Sequence, residues 1–123
     1  MNTPRHTFNR SERLKSQTLI GRLFKDSQSF IAYPLRVAWV ELSHLDAPAQ
    51  VVISVPKRVF KTAVARNLLK RRIREAWRLH KHLFYEKRSE KPPVALLLMY
   101  IAKEPLPYSD IEAGINKLVR KMP

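Results

Sequence analysis

The chain has no cysteine and only two glycines, Gly21 and Gly114. Without thiols there is no disulfide framework, no zinc knuckle and no cysteine nucleophile, which fits a reducing cytosol. With so little glycine there is no glycine-rich loop to cradle a phosphate, and neither a G-x-S-x-G turn nor a paired-carboxylate motif occurs. Acids are scarce as well: ten Asp and Glu stand against 24 Lys and Arg, a formal net charge of +14. Such a surplus draws in RNA, DNA or an anionic membrane surface. Long apolar runs are missing too, and the longest, Val94 to Ala102, is about half of what a membrane span needs. The N-terminus, MNTPRHTFNRSERLK, has no apolar core of a secretory signal, and Glu12 together with the lack of an amphipathic stripe argues against a transit peptide. These absences lead to the expectation of a soluble, cytoplasmic protein with no membrane partner. At 123 residues and 45% hydrophobic content, it should form one domain with its own core.

The positive charge is concentrated. From Lys57 to Lys81 the chain reads KRVFKTAVARNLLKRRIREAWRLHK, ten Lys or Arg against one acid, Glu75. From Thr62, a suitable N-cap, to about Phe84 this is one predicted helix, rich in strong helix formers and free of Gly and Pro. Placing residues at ~100° intervals gathers Ala65, Leu68, Leu69, Ile73, Ala76, Leu79 and Leu83 on one broad face. Lys70, Arg71, Arg74, Arg78 and Lys81 fall opposite, with Asn67 among them and Arg66 at the edge, while Arg72 lies on the apolar side and must snorkel outward or find a partner. Most charge runs are solvated surface, but those usually mix signs. Here the like-charged i,i+4 pairs Arg66/Lys70, Lys70/Arg74 and Arg74/Arg78 repel one another, an arrangement that makes sense if a polyanion covers the face. An Arg fork holds two phosphate oxygens, and Asn67 offers a donor and an acceptor to a base edge or a 2′-hydroxyl.

Around this helix the sequence predicts an irregular basic arm over residues 1–10 and a first helix from the Ser16 cap to about Lys25. Leu19, Ile20, Leu23 and Phe24 share one side of that helix, and Phe24 is read as core or cleft wall. A short strand at Ser29–Ile31 and a longer one at Leu35–Leu42 follow, the latter with Leu35, Val37 and Trp39 on one face. The polar stretch Ser43–Gln50 reads as a hairpin loop that returns an antiparallel strand, Val51–Val55, ended by Pro56. Val94–Tyr100 has no alternation, as expected of a strand covered on both faces. With the basic helix it completes a βαβ unit. Ser109 and Glu112 match a capping box for a last helix with the stripe Ile111, Ile115, Leu118, Val119 and Met122. The order is αβββαβα, an α+β fold.

Nothing in the sequence forms an enzymatic site by itself. His80 and His82 lie two apart on the predicted helix and point to different sides, which makes a shared metal ion a poor fit and reads as two surface residues. His6 and His44 lie in arm and loop. No acid–base partner is visible for any of them.

Lys57-Arg58, then Ala63-Val64, Arg66-Asn67, Lys70-Arg71 and Arg74 resemble the signature of the protein component of bacterial ribonuclease P: two basic residues after a strand, then A-V-x-R-N-x-x-K-R-x-x-R. The likeness extends more loosely through Arg13-Leu14, Phe24, the Ser54-Val55 approach and the order of elements. Two glycines common in the family are absent here, one replaced by Val52 and one lost from the passage Phe60-Lys61-Thr62. The resemblance implies an α/β sandwich whose βαβ crossover is left-handed, against the usual right-handed rule. It implies a large catalytic RNA partner that holds magnesium and cleaves precursor tRNA at its mature 5′ end, so that the protein has no catalytic residue of its own. It places Lys57, Arg58, Arg66, Asn67, Lys70, Arg71 and Arg74 on the RNA face, and Phe24 in a cleft for the single-stranded 5′ leader. Trp39 is added to that cleft on chemical grounds, because bases stack on aromatic rings. No protein metal ligand is named. A ribosomal or other structural RNA-binding protein would share the charge and fold class but bind no leader. A DNA-binding regulator would want a helix-turn-helix or a dimer seam, and neither is evident.

Overall fold

The strand Val94–Tyr100, apolar at every position, occupies the centre of a four-stranded sheet in the computed structural model, which describes Phe8 and residues 10–123. A one-turn 3-10 helix at Arg10–Glu12 precedes α1 (Gln17–Lys25), β1 (Gln28–Ala32), β2 (Leu35–Glu41), β3 (Ala49–Ser54), α2 (Ala63–Lys87), β4 (Val94–Tyr100) and α3 (Tyr108–Lys121). This is the expected αβββαβα order in a single α+β domain. Of the expected arm over residues 1–10, only Phe8 and Arg10 fall among the described residues.

The sheet order is β1-β2-β4-β3, with β1–β2 and β2–β4 antiparallel and β3–β4 parallel. The expected pairing of β2 with β3 across a hairpin therefore does not form. A strand buried on both faces needs a neighbour on each side as well as cover above and below, so β4 enters between them. The hairpin is β1–β2, turned at a cis Tyr33-Pro34 bond, and β3–α2–β4 is the βαβ unit.

One sheet face packs under α2 and α3. Leu35, Val37, Trp39, Val51, Leu96, Leu98 and Tyr100 meet Leu69, Ile73, Ala76, Trp77, Phe84, Ile111, Ile115 and Leu118 there. The other face carries α1 alone, over a small cluster of Leu14, Leu23, Ala38, Val40, Ala95 and Leu97. Ser16 caps α1 and Thr62 caps α2, each accepting from an amide three residues on, as their sequence positions predict. The capping box at Ser109 does not form, because α3 starts at Tyr108 behind Pro107, whose extended backbone ends the loop, and the Glu112 carboxylate turns to His80 instead. The stripe Ile111, Ile115, Leu118 and Met122 is buried as expected. On α3, Gly114 meets the β1–β2 turn so closely that a Cβ would lie 2.8 Å from Pro34 Cδ and 3.1 Å from the carbonyl oxygens of Ala32 and Tyr33.

Candidate nucleic-acid interface

Helix α2 is rotated relative to the expectation from its apolar pattern. Its buried stripe is Leu69, Ile73, Ala76, Trp77 and Phe84, whereas Leu68 and Leu83 are exposed and Leu79 is half-buried. The pattern was too broad to choose between arcs, and the two large aromatics decide it, since they bury the most surface. Lys81 leaves α2 in nearly the same direction as Lys70 and Arg74, but the N-terminal segment covers it there, and its Nζ lies 2.7 and 2.6 Å from the carboxylate oxygens of Glu12. Arg72 resolves its position on the apolar side by donating to the Leu106 carbonyl at 2.7 Å.

The remaining cations stay outside. Lys57 and Arg58 are exposed in the turn between β3 and α2, Asn67, Arg71 and Arg74 are exposed on α2, and Lys70 and Arg66 are half-buried. The Arg66 guanidinium donates to the Phe60 carbonyl at 2.8 Å, which ties the first turn of α2 to the loop before it. The turn and helix thus bring all seven sequence-predicted residues to the first half of α2 and its entry. Among the described residues, none of Lys57, Arg58, Lys70, Arg71 and Arg74 is ion-paired. The single acid of the stretch, Glu75, pairs with Arg78, whose hydrogen bond holds the Glu75 carboxyl below its usual range. Val64, 80% exposed, and Val59 present apolar surface among these cations.

Across the sheet, α1 leaves part of the strands uncovered. A groove of about 190 Å³ runs between them, lined by Leu23, Phe24, Lys25, Ser27, Ser29, Arg36, Ala38, Leu97 and Met99. Phe24 is 56% exposed on its rim, as a cleft wall and not as core. Trp39 belongs elsewhere: it is buried in the cluster beneath α2 and α3, because strand alternation sends it to the face opposite Ala38. Arg36 was missed, although the same alternation pointed to it, since a charged residue between Leu35 and Val37 must leave by the open face. Its guanidinium lies 3.3 Å from Ser29 Oγ.

His80, expected on the surface without a partner, is half-buried with Nε2 2.9 Å from Glu112 Oε2. That carboxylate also accepts from Tyr108, whose phenol is raised by burial first and by Glu112 second. The pair joins α2 to α3, away from the groove at Phe24. His6 lies outside the described residues. Among the described residues no three His, Asp or Glu side chains gather around a point that could hold a metal ion, and no helix is long and apolar enough to cross a membrane.

A mixed sheet sealed on one face by two helices, one of them carrying an exposed cationic row, with an aromatic-rimmed groove on the other face, is an α+β architecture suited to nucleic acid. The model of the family described as Ribonuclease P matches residues 8–123. Two curated relatives are named Ribonuclease P protein component, both from Porphyromonas gingivalis. The one from strain W83 is 34% identical over 116 residues, covering 93% of this chain and 85% of the relative. The one from strain ATCC 33277 is 34% identical over 110 residues, covering 88% and 80%. Among solved structures, the RNase P protein of Thermotoga maritima superposes with a TM-score of 0.71 at 20% identity over 91% of this chain and 98% of that one. The Staphylococcus aureus protein gives 0.70 at 21% identity over 90% and 94%. The chain belongs to the ribonuclease P protein family, and so is the protein component of an endoribonuclease holoenzyme whose partner is an RNA subunit.

Proposed function

We propose that this chain binds the catalytic RNA through Lys57, Arg58, Arg66, Asn67, Lys70, Arg71 and Arg74, and holds the 5′ leader of precursor tRNA in the groove at Phe24. The RNA performs the cleavage with magnesium held by RNA phosphates, in the cytoplasm. The observation that carries this reading is the cationic row Lys70, Arg71 and Arg74 on α2, solvent-accessible and without an ion pair among the described residues, whose like charges repel one another unless an anion covers them. Phosphates neutralise that row and release counterions, which makes affinity depend steeply on salt. The groove supports the second half: Phe24 offers a ring face to a base, and Arg36 a cation to the strand that carries it. The protein contributes screening and positioning, neither of which requires a protein acid or base.

Precursor tRNA cleavage at low magnesium, assayed with protein alone, RNA alone and both, tests the division of labour. The pair should cut where neither component does, and cleavage by RNA-free protein would overturn the reading. In parallel, a Lys70→Ala/Arg74→Ala variant should melt like the parent while the log-log salt slope for binding the catalytic RNA falls by up to about 1 unit per lost phosphate contact. Parent-like binding at every salt concentration would place the RNA face elsewhere.

A further inference from the structure

The segment that leads into α1 is built onto the sheet. Arg13 forms a parallel bridge with Val51, the Leu14 amide donates to the Val51 carbonyl at 3.0 Å, and Gln50 Nε2 donates to the Ser11 carbonyl at 3.0 Å. Residues 11–14 thereby cover the β3 edge at Gln50 and Val51. In extended backbone successive side chains alternate: Leu14 turns inward to the cluster under α1, while Arg13 and Lys15 are exposed. Together with Arg10, Ser11, Ser16, Asp46 and Gln50 they line an open groove of about 530 Å³, three cations to one acid.

The one acid within the segment itself is withdrawn. Glu12 is 5% exposed and Lys81 4%, and the ammonium bonds both carboxylate oxygens. The Tyr85 hydroxyl donates to the same carboxylate. Burial, then Glu12, pushes the Tyr85 phenol well above its usual range, so it remains a donor. An ion pair buried this deeply is tolerated only when its geometry and extra hydrogen bonds are good. Here they fasten two parts of the chain 69 residues apart. Helix positions 7 and 11 apart differ by only about 20° in direction. Lys70 and Arg74 therefore leave α2 on the side where Lys81 and Tyr85 meet Glu12.

Cations on a sheet edge often serve only to block strand pairing. Backbone already covers this edge, however, and the segment buries its acid while leaving its cations outside. We propose that Arg10, Arg13 and Lys15 form a second row that contacts RNA phosphates, fastened along the β3 edge by the buried Glu12–Lys81–Tyr85 trio and continuous with the row on α2. The proposal rests on the reading of α2 as an RNA-binding helix, and it makes Glu12 a positioning residue for RNA affinity.

The test uses the full chain and a transcript of the catalytic RNA, with affinities measured across a salt series. An Arg10→Gln/Arg13→Gln/Lys15→Gln variant should melt like the parent, bind at least tenfold more weakly at low salt, and lose about 2 units of log-log slope at roughly 0.7–0.9 per phosphate. An unchanged slope in this variant, with a reduced slope in Lys70→Ala/Arg74→Ala, overturns the second row and leaves the α2 reading standing. Unchanged slopes in both remove the reading on which it rests. Glu12→Gln separates position from charge. Deleting an acid makes the chain more positive and on charge alone should tighten RNA binding, whereas loss of the fastening should weaken it and lower the slope. A folded Glu12→Gln protein that binds as tightly as the parent, or more tightly, refutes the positioning role. If Glu12→Gln fails to fold, the triple variant decides.

Discussion

The two faces of the sheet are made from the same strands and end up unlike. Beneath α2 and α3, Leu35, Val37 and Trp39 of β2 are sealed by two helices that contribute Trp77, Phe84, Ile73 and Ile115. On the other side, residues of the same strand, Arg36, Ala38 and Val40, lie under a single nine-residue helix, α1, helped by Leu14, and Arg36 and Phe24 stay at an open groove. The strands offer each face comparable alternation, so the helices decide which face becomes core. Fold stability rests on the sealed face, which frees the open one to keep polar and aromatic groups in reach of a ligand.

The largest expected effect comes from breaking the sealed face. Ile73 is fully buried, and Ile73→Asp places an unpaired charge there at a cost of several kcal/mol, against a total stability of about 5–15 kcal/mol. The variant should be unfolded by circular dichroism at room temperature, and a parent-like melt would mean that α2 faces the other way. A smaller loss is expected at the seam of α3 with the β1–β2 turn. Gly114→Ala forces backbone and Pro34 apart and should cost about 1–3 kcal/mol, read as a lowered midpoint in urea with the slope unchanged. Phe24→Ala on the open face should shift stability least, by about 0.5 kcal/mol, because the ring is half in solvent already. Its effect belongs to binding: the preference for precursor over mature tRNA should drop about tenfold, the equivalent of about 1.4 kcal/mol of lost stacking. An undiminished preference for precursor over mature tRNA in a folded Phe24→Ala variant would take Phe24 out of the leader site.

Much of the fold was legible in local sequence. The uninterrupted run Val94–Tyr100 fixed β4 to the residue, and Ser16 and Thr62 capped where a hydroxyl ahead of a helical stripe should. The exposed cations on α2 were legible too, since Lys and Arg stay in water unless an acid meets them in the interior. What escaped depends on partners far along the chain. No local pattern says that β4, more than forty residues beyond β2, will part β2 from β3. Lys81 looked like its cationic neighbours until Glu12 reached it across the fold. Trp39 looked like a stacking platform because its face was known but not which helices would cover that face. Ser109 matched a capping motif, but Glu112, the other half of that motif, found a better-placed partner in His80.

The central place of β4 also governs the order in which the molecule can be assembled. β2 and β3 have no ladder to share until residues 94–100 arrive between them, so the first three quarters of the chain hold one hairpin, two helices and an unmatched strand. During synthesis, the cationic helix α2 emerges before the strand that completes the sheet beneath it. Until then its apolar stripe lacks the central strand it packs on. A late insertion of this kind makes the sheet close in a single non-local step, the type of contact that slows folding more than any local helix does.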